Sequence, residues 1–193
     1  SCMRCGKPLE DETMQYCYSC KNNQHLYEQG KAAFVYNRSM KSSIAAFKYG
    51  ARKEYGRYYA AELAKKHESW IKKTGAQALI PVPIHKERHK KRGYNQAEIL
   101  ARELGKRTGL AVCTDRLLRI RNTRPLKLFD RKERMEVLQG AFAVRSSSDF
   151  PENILLIDDI YTSGSTMEHA AGILKRAGVQ NVYFLTVSIG QER

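Results

Sequence analysis

No stretch of this sequence approaches the roughly 20 consecutive apolar residues that a helix needs to cross a bilayer, so a membrane-spanning helix is not expected in it. No charged-then-apolar leader is visible at the N-terminus. The sequence opens on Ser1 rather than Met, so further residues are expected upstream. It has no internal repeat and no low-complexity tract. Acidic residues are scarce, with 20 Asp and Glu against 34 Lys and Arg, which leaves a formal net charge of +14. Such an excess favours polyanions, whether nucleic acid, an acidic membrane surface or phosphorylated small molecules. A basic but merely soluble surface is the alternative. The hydrophobic fraction of 42% is ordinary for a globular chain, and 193 residues suit one sizeable core plus a small appendage.

Four of the five cysteines fall within residues 1–24, as Cys2-Met3-Arg4-Cys5 and Cys17-Tyr18-Ser19-Cys20. Each CxxC can bend two thiolates onto one ion, and two such turns complete a tetrahedral zinc site. Gly6 suits the tight turn of a zinc knuckle. Four thiolates leave zinc no open position for water, so the expected ion is structural. Two disulfides are disfavoured without a secretory leader, and a thioredoxin-like redox pair would need a βαβ context. So short a segment buries little core, and bound metal is expected to supply its folding free energy. The expected organisation is a zinc ribbon over residues 1–24, then a second domain over residues 25–193. Cys113 stands in apolar surroundings and reads as a small buried hydrophobe.

Residues 36–75 are basic and helix-like, with Tyr59, Leu63, Trp70 and Ile71 at helical spacing, which predicts an apolar stripe. From residue 78 the pattern becomes strand, polar loop, helix. ALIPVPI (78–84) is a short buried strand whose prolines mark its end. HKERHKKRGYN reads as loop, and Asn95 caps a helix that stops near Gly109. Strands follow near residues 110–113 and 140–144, and residues 119–134 show no clear period. SSSDFPEN is turn-like. ILLID is a buried strand, TMEHAAGILKRAG a helix stopped by Gly178, and NVYFLTVSI the last strand. Apolar strands alternating with helices imply a parallel sheet covered on both faces.

In such a sheet, ligands bind beyond the carboxyl ends of the strands. There the sequence places Asp158 and Asp159, followed by Thr162, Ser163, Gly164, Ser165 and Thr166 at the start of a helix. Unpaired backbone N–H groups at a helix start make a phosphate socket, hydroxyls add donors, and glycine lets the backbone come close. The carboxylates would repel a phosphate but accept from paired sugar hydroxyls. A sugar phosphate is therefore the expected ligand. An ordinary strand-to-helix turn with an Asp-rich cap is the alternative. The loop has no lysine, which argues against a nucleoside triphosphatase.

ILLIDDIYTSGST resembles the phosphoribosyl pyrophosphate (PRPP) loop of type I phosphoribosyltransferases. The resemblance implies PRPP as ligand, with ribose hydroxyls on Asp158 and Asp159, which are then also the expected catalytic residues. The 5′-phosphate goes to Thr162 to Thr166, and Mg²⁺ bridges ribose and pyrophosphate oxygens. Upstream, His85, Lys86, Arg88, His89, Lys90, Lys91 and Arg92 crowd one segment that leaves the 78–84 strand, so it should open onto the same sheet edge. Its charge can neutralise departing pyrophosphate or track a nucleic-acid backbone. A solvated charge run is the bland reading. Arg92 is counted with the PRPP contacts as well as with the DNA-facing cations.

IPVPIHKERHKKRGYNQAEILA, with FKYGARKEYG (47–56) upstream and the paired CxxC turns, is similar to the ComF family of late competence proteins, which includes GntX-like proteins. The likeness covers nearly the whole chain. It implies an α/β, type I phosphoribosyltransferase-like parallel sheet flanked by helices, with a small N-terminal zinc ribbon. It also implies a cytoplasmic protein of natural transformation that binds PRPP and single-stranded DNA, peripheral to the inner membrane beside DNA-uptake or helicase machinery. Two departures fall in the segment that forms the flexible lid of transferases. Leu126 stands where members often have glutamine in Thr123-Arg124-Pro125-Leu126, and Arg134-Met135-Glu136-Val137 replaces an R-x-x-N pattern. They bear on turnover, so an active transferase with an unidentified acceptor and a PRPP sensor without chemistry are both carried as alternatives. Arg119, Arg121, Arg124, Lys127, Arg131 and Arg134 can meet phosphates, with a plain exposed loop as the alternative for most. Phe34, Tyr36, Phe47, Tyr49, Tyr55, Tyr58 and Tyr59 can stack bases or serve as core.

Overall fold

The computed structural model describes residues 1–11, 13–123, 131–145 and 149–191, and for residues 131 and 132 the backbone alone. The chain runs α1 (Tyr18–Asn22), β1 (Gln29–Val35), α2 (Arg38–Tyr49), α3 (Tyr55–Lys73), β2 (Ala78–Pro81), α4 (Lys86–Arg92), α5 (Gln96–Thr108), β3 (Ala111–Val112), β4 (Leu117–Arg119), α6 (Arg131–Leu138), β5 (Phe142–Val144), β6 (Asn153–Tyr161), α7 (Ser165–Arg176) and β7 (Asn181–Ile189). A five-stranded sheet in the order β1-β7-β6-β2-β3 is parallel throughout, and β4 and β5 make a separate antiparallel pair. This is the helix-flanked parallel α/β architecture expected from the sequence.

The run Ile154-Leu155-Leu156-Ile157 explains why β6 sits at the centre. Successive side chains of a strand point to opposite faces, and this strand is apolar on both. Ile154 and Leu156 join Met167, Ala170 and Leu174 of α7 on one face, while Leu155 and Ile157 join Leu63 of α3 and Leu100 and Leu104 of α5 on the other. Burying each such side chain stabilises the fold by about 1.5–3 kcal/mol. The expected stripe on α3 is present, with Tyr59, Leu63 and Ile71 buried and Trp70 half-buried. Among the described residues no helix is long and apolar enough to cross a membrane.

The structure differs from the sequence reading in several places, among them β4 and α6, which fall where the sequence showed no clear period or no strand. HKERHKKR is a helix, α4, rather than loop; His85 caps it through Nδ1 and Gly93 ends it at φ 80°. β1 was not foreseen, because QGKAAFV lacks a strand-like alternation and owes its conformation to pairing with β7. β6 continues past both aspartates to Tyr161. Cys113 is half-buried at the edge of one apolar cluster rather than fully enclosed. The Thr123-Arg124-Pro125-Leu126 departure, Lys127 and residues 146–148 of SSSDFPEN lie partly or wholly outside the described residues, as does the Arg131 side chain.

Strand order decides where a ligand can enter. From β2 the chain passes through α5 to β3 on one side; from β6 it passes through α7 to β7 on the other. β2 and β6 are neighbours, with Pro81 level with Ile157, yet their connections diverge to opposite faces. A crevice must therefore open beyond their carboxyl ends.

Candidate functional site

That crevice is present, with a volume of about 480 Å³. Asp158 and Asp159 stand in its floor beside Val82 and Ile84, Thr162 and Thr166 rim one end, and Arg88, Arg92, Arg119 and Arg134 line it. The two acids arise from the β6 alternation: Asp159 is 7% exposed and Asp158 is half-buried. Asp158 Oδ1 accepts from the Asp159 N–H at 2.8 Å, and Asp159 Oδ2 meets Lys48 Nζ at 2.6 Å. Burial first, and then the Asp159 carboxylate, push the Asp158 carboxyl up to about 7 against the pull of Lys48. Burial alone would lower the Lys48 ammonium, but Asp159 outweighs it and holds it above its ordinary value.

The loop after β6 is shaped around one glycine. Gly164 caps α7 at φ 82°, and a Cβ there would lie 2.5 Å from the Tyr161 hydroxyl. Only glycine meets both conditions without strain. Ser163 Oγ lies 2.9 Å from Ser165 Oγ, and Arg134 donates to Thr162 Oγ1 at 3.0 Å and Ser163 Oγ at 3.4 Å. A small cleft of about 20 Å³ is enclosed by residues 162–166 with Arg134, so a cation faces the first turn of α7.

Helix α4 divides the basic segment. Arg88 and Arg92, four residues apart on one face, line the crevice, whereas Lys86, Lys90 and Lys91 are exposed. Thus of the cations expected to face DNA, the structure brings two to the acids and leaves three on the outer surface. Burial first, and then Arg88 nearby, lower the Arg119 guanidinium to about 10; burial and Arg92 lower Arg88. Three guanidinium groups held near one another, two of them desolvated, form a place where an anion relieves repulsion.

The segment Arg92-Gly93-Tyr94-Asn95-Gln96 interlocks with the end of α2. Arg92 donates to Gln96 Oε1 at 3.1 Å and to the Tyr49 hydroxyl at 3.0 Å. Tyr94 donates its hydroxyl to the Phe47 carbonyl, and Gln96 Nε2 donates to the Lys48 carbonyl at 3.4 Å. Asn95 caps α5 through Ala97 N–H while its Nδ2 donates to Val82 O, pinning the PVP turn. These bonds aim Lys48 at Asp159. Lys48 and the crevice-facing role of Arg119 are not separable by sequence from the other cations.

The expected base-stacking aromatics divide likewise. Phe47 and Tyr59 are core, Phe34, Tyr36 and Tyr55 are half-buried, and Tyr49 and Tyr58 are 70% and 57% exposed. The Arg92 guanidinium lies 4.8 Å from the centre of the Tyr49 ring.

The four N-terminal cysteines are buried, and their sulfurs lie within 4.8 Å of one another. Cys5 Sγ and Cys17 Sγ are 3.7 Å apart. Tetrahedral zinc with bonds of about 2.3 Å separates its sulfurs by roughly 3.8 Å, so the donor set fits that ion in chemistry and spacing. Gly6, at φ 79°, donates its N–H to Cys2 O, and the Cys2 N–H donates to Lys7 O, which gives the first CxxC its knuckle turn.

No protein-family model matches the chain. It is 28% identical to Competence protein ComFC of Bacillus subtilis over 188 residues, which span 92% of this chain and 72% of that protein. It is 27% identical to Competence protein F of Haemophilus influenzae over 190 residues, 94% of this chain and 81% of that one. Over more than nine tenths of its length the chain is thus similar to competence proteins of the ComF family. To DNA utilization protein YhgH of Salmonella typhimurium the chain is 25% identical over 187 residues, 94% of its length and 80% of the other's.

Proposed function

We propose that this chain is a ComF-type protein that serves in DNA uptake or use, binding PRPP in the crevice beyond β2 and β6 and single-stranded DNA on the basic surface beside it. The observation that carries the reading is the pairing of Asp158 and Asp159 with a glycine-capped helix start in one crevice. The ribose diol donates to the carboxylates, and Lys48 holds the Asp159 carboxylate in place. The 5′-phosphate takes the N–H groups of the first turn of α7, the hydroxyls of residues 162–166 and Arg134. The pyrophosphate takes Arg88, Arg92 and Arg119. Asp158 and Asp159 offer an oxygen-rich floor that would suit a hard cation, and an Mg²⁺ arriving with the ligand would offset the charge of the pyrophosphate. The names of the relatives support the competence role, and the charge of +14 supports a polyanionic partner. Zinc in the cysteine site is structural in this reading.

For DNA, Lys86, Lys90 and Lys91 follow the phosphates, while Tyr49 and Tyr58 present faces on which bases stack, at about 1–3 kcal/mol each. A second reading, phosphoribosyl transfer to an unidentified acceptor, is favoured by the guanidinium cluster opposite the acids. Cations on departing pyrophosphate oxygens lower the barrier to C1–O cleavage, and the acids support the developing positive charge on the sugar. Calorimetric titration of PRPP with Mg²⁺, with and without a short oligonucleotide, tests the first reading. Tight, Mg²⁺-dependent binding is expected, together with oligonucleotide affinity that falls steeply with salt. No heat with PRPP, or DNA affinity indifferent to ionic strength, would remove that part of the proposal. Pyrophosphate release in the presence of bases, nucleotides or DNA ends tests the second.

A further inference from the structure

The loop that takes the phosphate in the preceding reading does not stand alone. Residues 25–28, which begin five residues after Cys20, lie along α7, hold it at two points and reach the end of β6 between them. Glu168, in the first turn of α7, receives His25 Nδ1 at 2.9 Å and the Leu26 N–H at 2.8 Å. Glu28 meets Lys175 Nζ at 2.7 Å near the other end of the helix. Between them the Tyr27 hydroxyl reaches the Tyr161 hydroxyl at 2.7 Å, with both rings buried against Phe184. Tyr161 is the side chain on which Gly164 rests. The same apolar cluster contains Cys2, Cys5, Cys17 and Cys20. A continuous line of contact thus runs from the cysteines through Tyr27 and Tyr161 to the cap of the helix whose N–H groups face the crevice.

We propose that residues 25–28 form a strap through which the filled cysteine site sets the anion affinity of the 162–166 loop, with Tyr27 and Glu168 as its positioning residues. The inference rests on the reading of that loop as a sugar-phosphate socket. Its physical basis is the slightness of the N-terminal segment. Among its described residues the one helix, α1, has five residues, so the mutual placement of its turns depends on the bound ion. A segment that loses that ion no longer anchors the start of the strap. Tyr161 then loses its buried hydroxyl partner, and Glu168 loses both donors. Either change moves the first turn of α7 relative to β6, and the N–H groups no longer converge on one point.

Coupling of this kind is reciprocal: what the metal does for the anion, the anion does for the metal. The experiment measures the zinc affinity of the full chain by equilibrium competition with a chromogenic chelator, with and without saturating ribose 5-phosphate, whose binding is measured separately by calorimetry. In the wild type, ribose 5-phosphate is expected to raise zinc affinity by about fivefold or more. Tyr27→Phe removes one hydroxyl and keeps the ring. It is expected to retain one zinc per chain and a melting temperature near wild type, yet to lose most of that gain in zinc affinity and to bind ribose 5-phosphate several-fold more weakly. Glu168→Gln, which keeps the side-chain shape, is expected to do the same. A wild-type chain that binds ribose 5-phosphate with no change in zinc affinity would overturn the strap while leaving the socket standing. The full gain in Tyr27→Phe would overturn it equally. A wild-type chain that does not bind ribose 5-phosphate removes socket and strap together.

Discussion

Asp158 gives the sharpest test of the crevice's electrostatics. Its carboxyl titrates near 7 in the folded chain against an ordinary 3.8, chiefly because burial and Asp159 disfavour its charge. A native state that binds the proton more tightly than the unfolded chain loses stability as pH rises between these two values, and the loss is complete above pH 7. A shift of about three units corresponds to at most roughly 4 kcal/mol, and the partial exposure of the side chain brings the expected figure nearer 2 kcal/mol. Asp158→Asn keeps the Oδ1 that accepts the Asp159 N–H and removes only the charge. At pH 8 the variant is expected to be more stable than wild type by about 2 kcal/mol, a rise in melting temperature on the order of 4–8 °C. At pH 4 the gain should shrink below about 1 kcal/mol, because the native wild-type carboxyl is then protonated. Thermal unfolding of both chains at the two pH values measures this. The same variant should bind PRPP far more weakly, since stability and ligand contact are opposed at such sites. A gain that is equal at pH 4 and pH 8, or a loss of stability at pH 8, would refute the argument that Asp158 is held against its charge.

Three other perturbations follow from the geometry. Gly164→Ala forces a side chain into a left-handed position against the Tyr161 hydroxyl, so ribose 5-phosphate affinity should fall by about tenfold or more by calorimetry, a strain of about 1–3 kcal/mol. Lys48→Ala leaves the buried Asp159 carboxylate without its 2.6 Å partner and should cost about 3 kcal/mol in urea unfolding at pH 7. Cys17→Ser, or exhaustive chelation, should lower bound zinc below one per chain by elemental analysis and reduce the melting temperature by several degrees.

The parts of the fold legible in the sequence are those whose causes are local. Asn95 and Gly109 bracket α5, as a side-chain cap and a left-handed stop should, and the apolar run of β6 is buried on both faces without help from any partner's identity. β1 has a non-local cause: it exists because β7 offers it a ladder. α4 has local ends in His85 and Gly93, but none of its seven residues is buried, so no apolar stripe announces the helix. The candidate site divides the same way. Asp158, Asp159 and Gly164 are neighbours in sequence and could be read together. Lys48 is one cation among 34 Lys and Arg, and it is singled out only when Tyr94 and Gln96 bind the backbone of Phe47 and Lys48 and turn that helix end toward Asp159. The basic run of residues 86–92 was legible as charge; which of its members face inward required the helix.

The central claim is that the crevice beyond β2 and β6 holds a phosphorylated pentose, and a crystal structure of the zinc-loaded chain with PRPP and Mg²⁺ tests it most directly. The account predicts the ribose hydroxyls on Asp158 and Asp159 and the 5′-phosphate against the N–H groups of Ser165 and Thr166. Well-ordered ligand elsewhere, or an empty crevice at saturating PRPP, would contradict it.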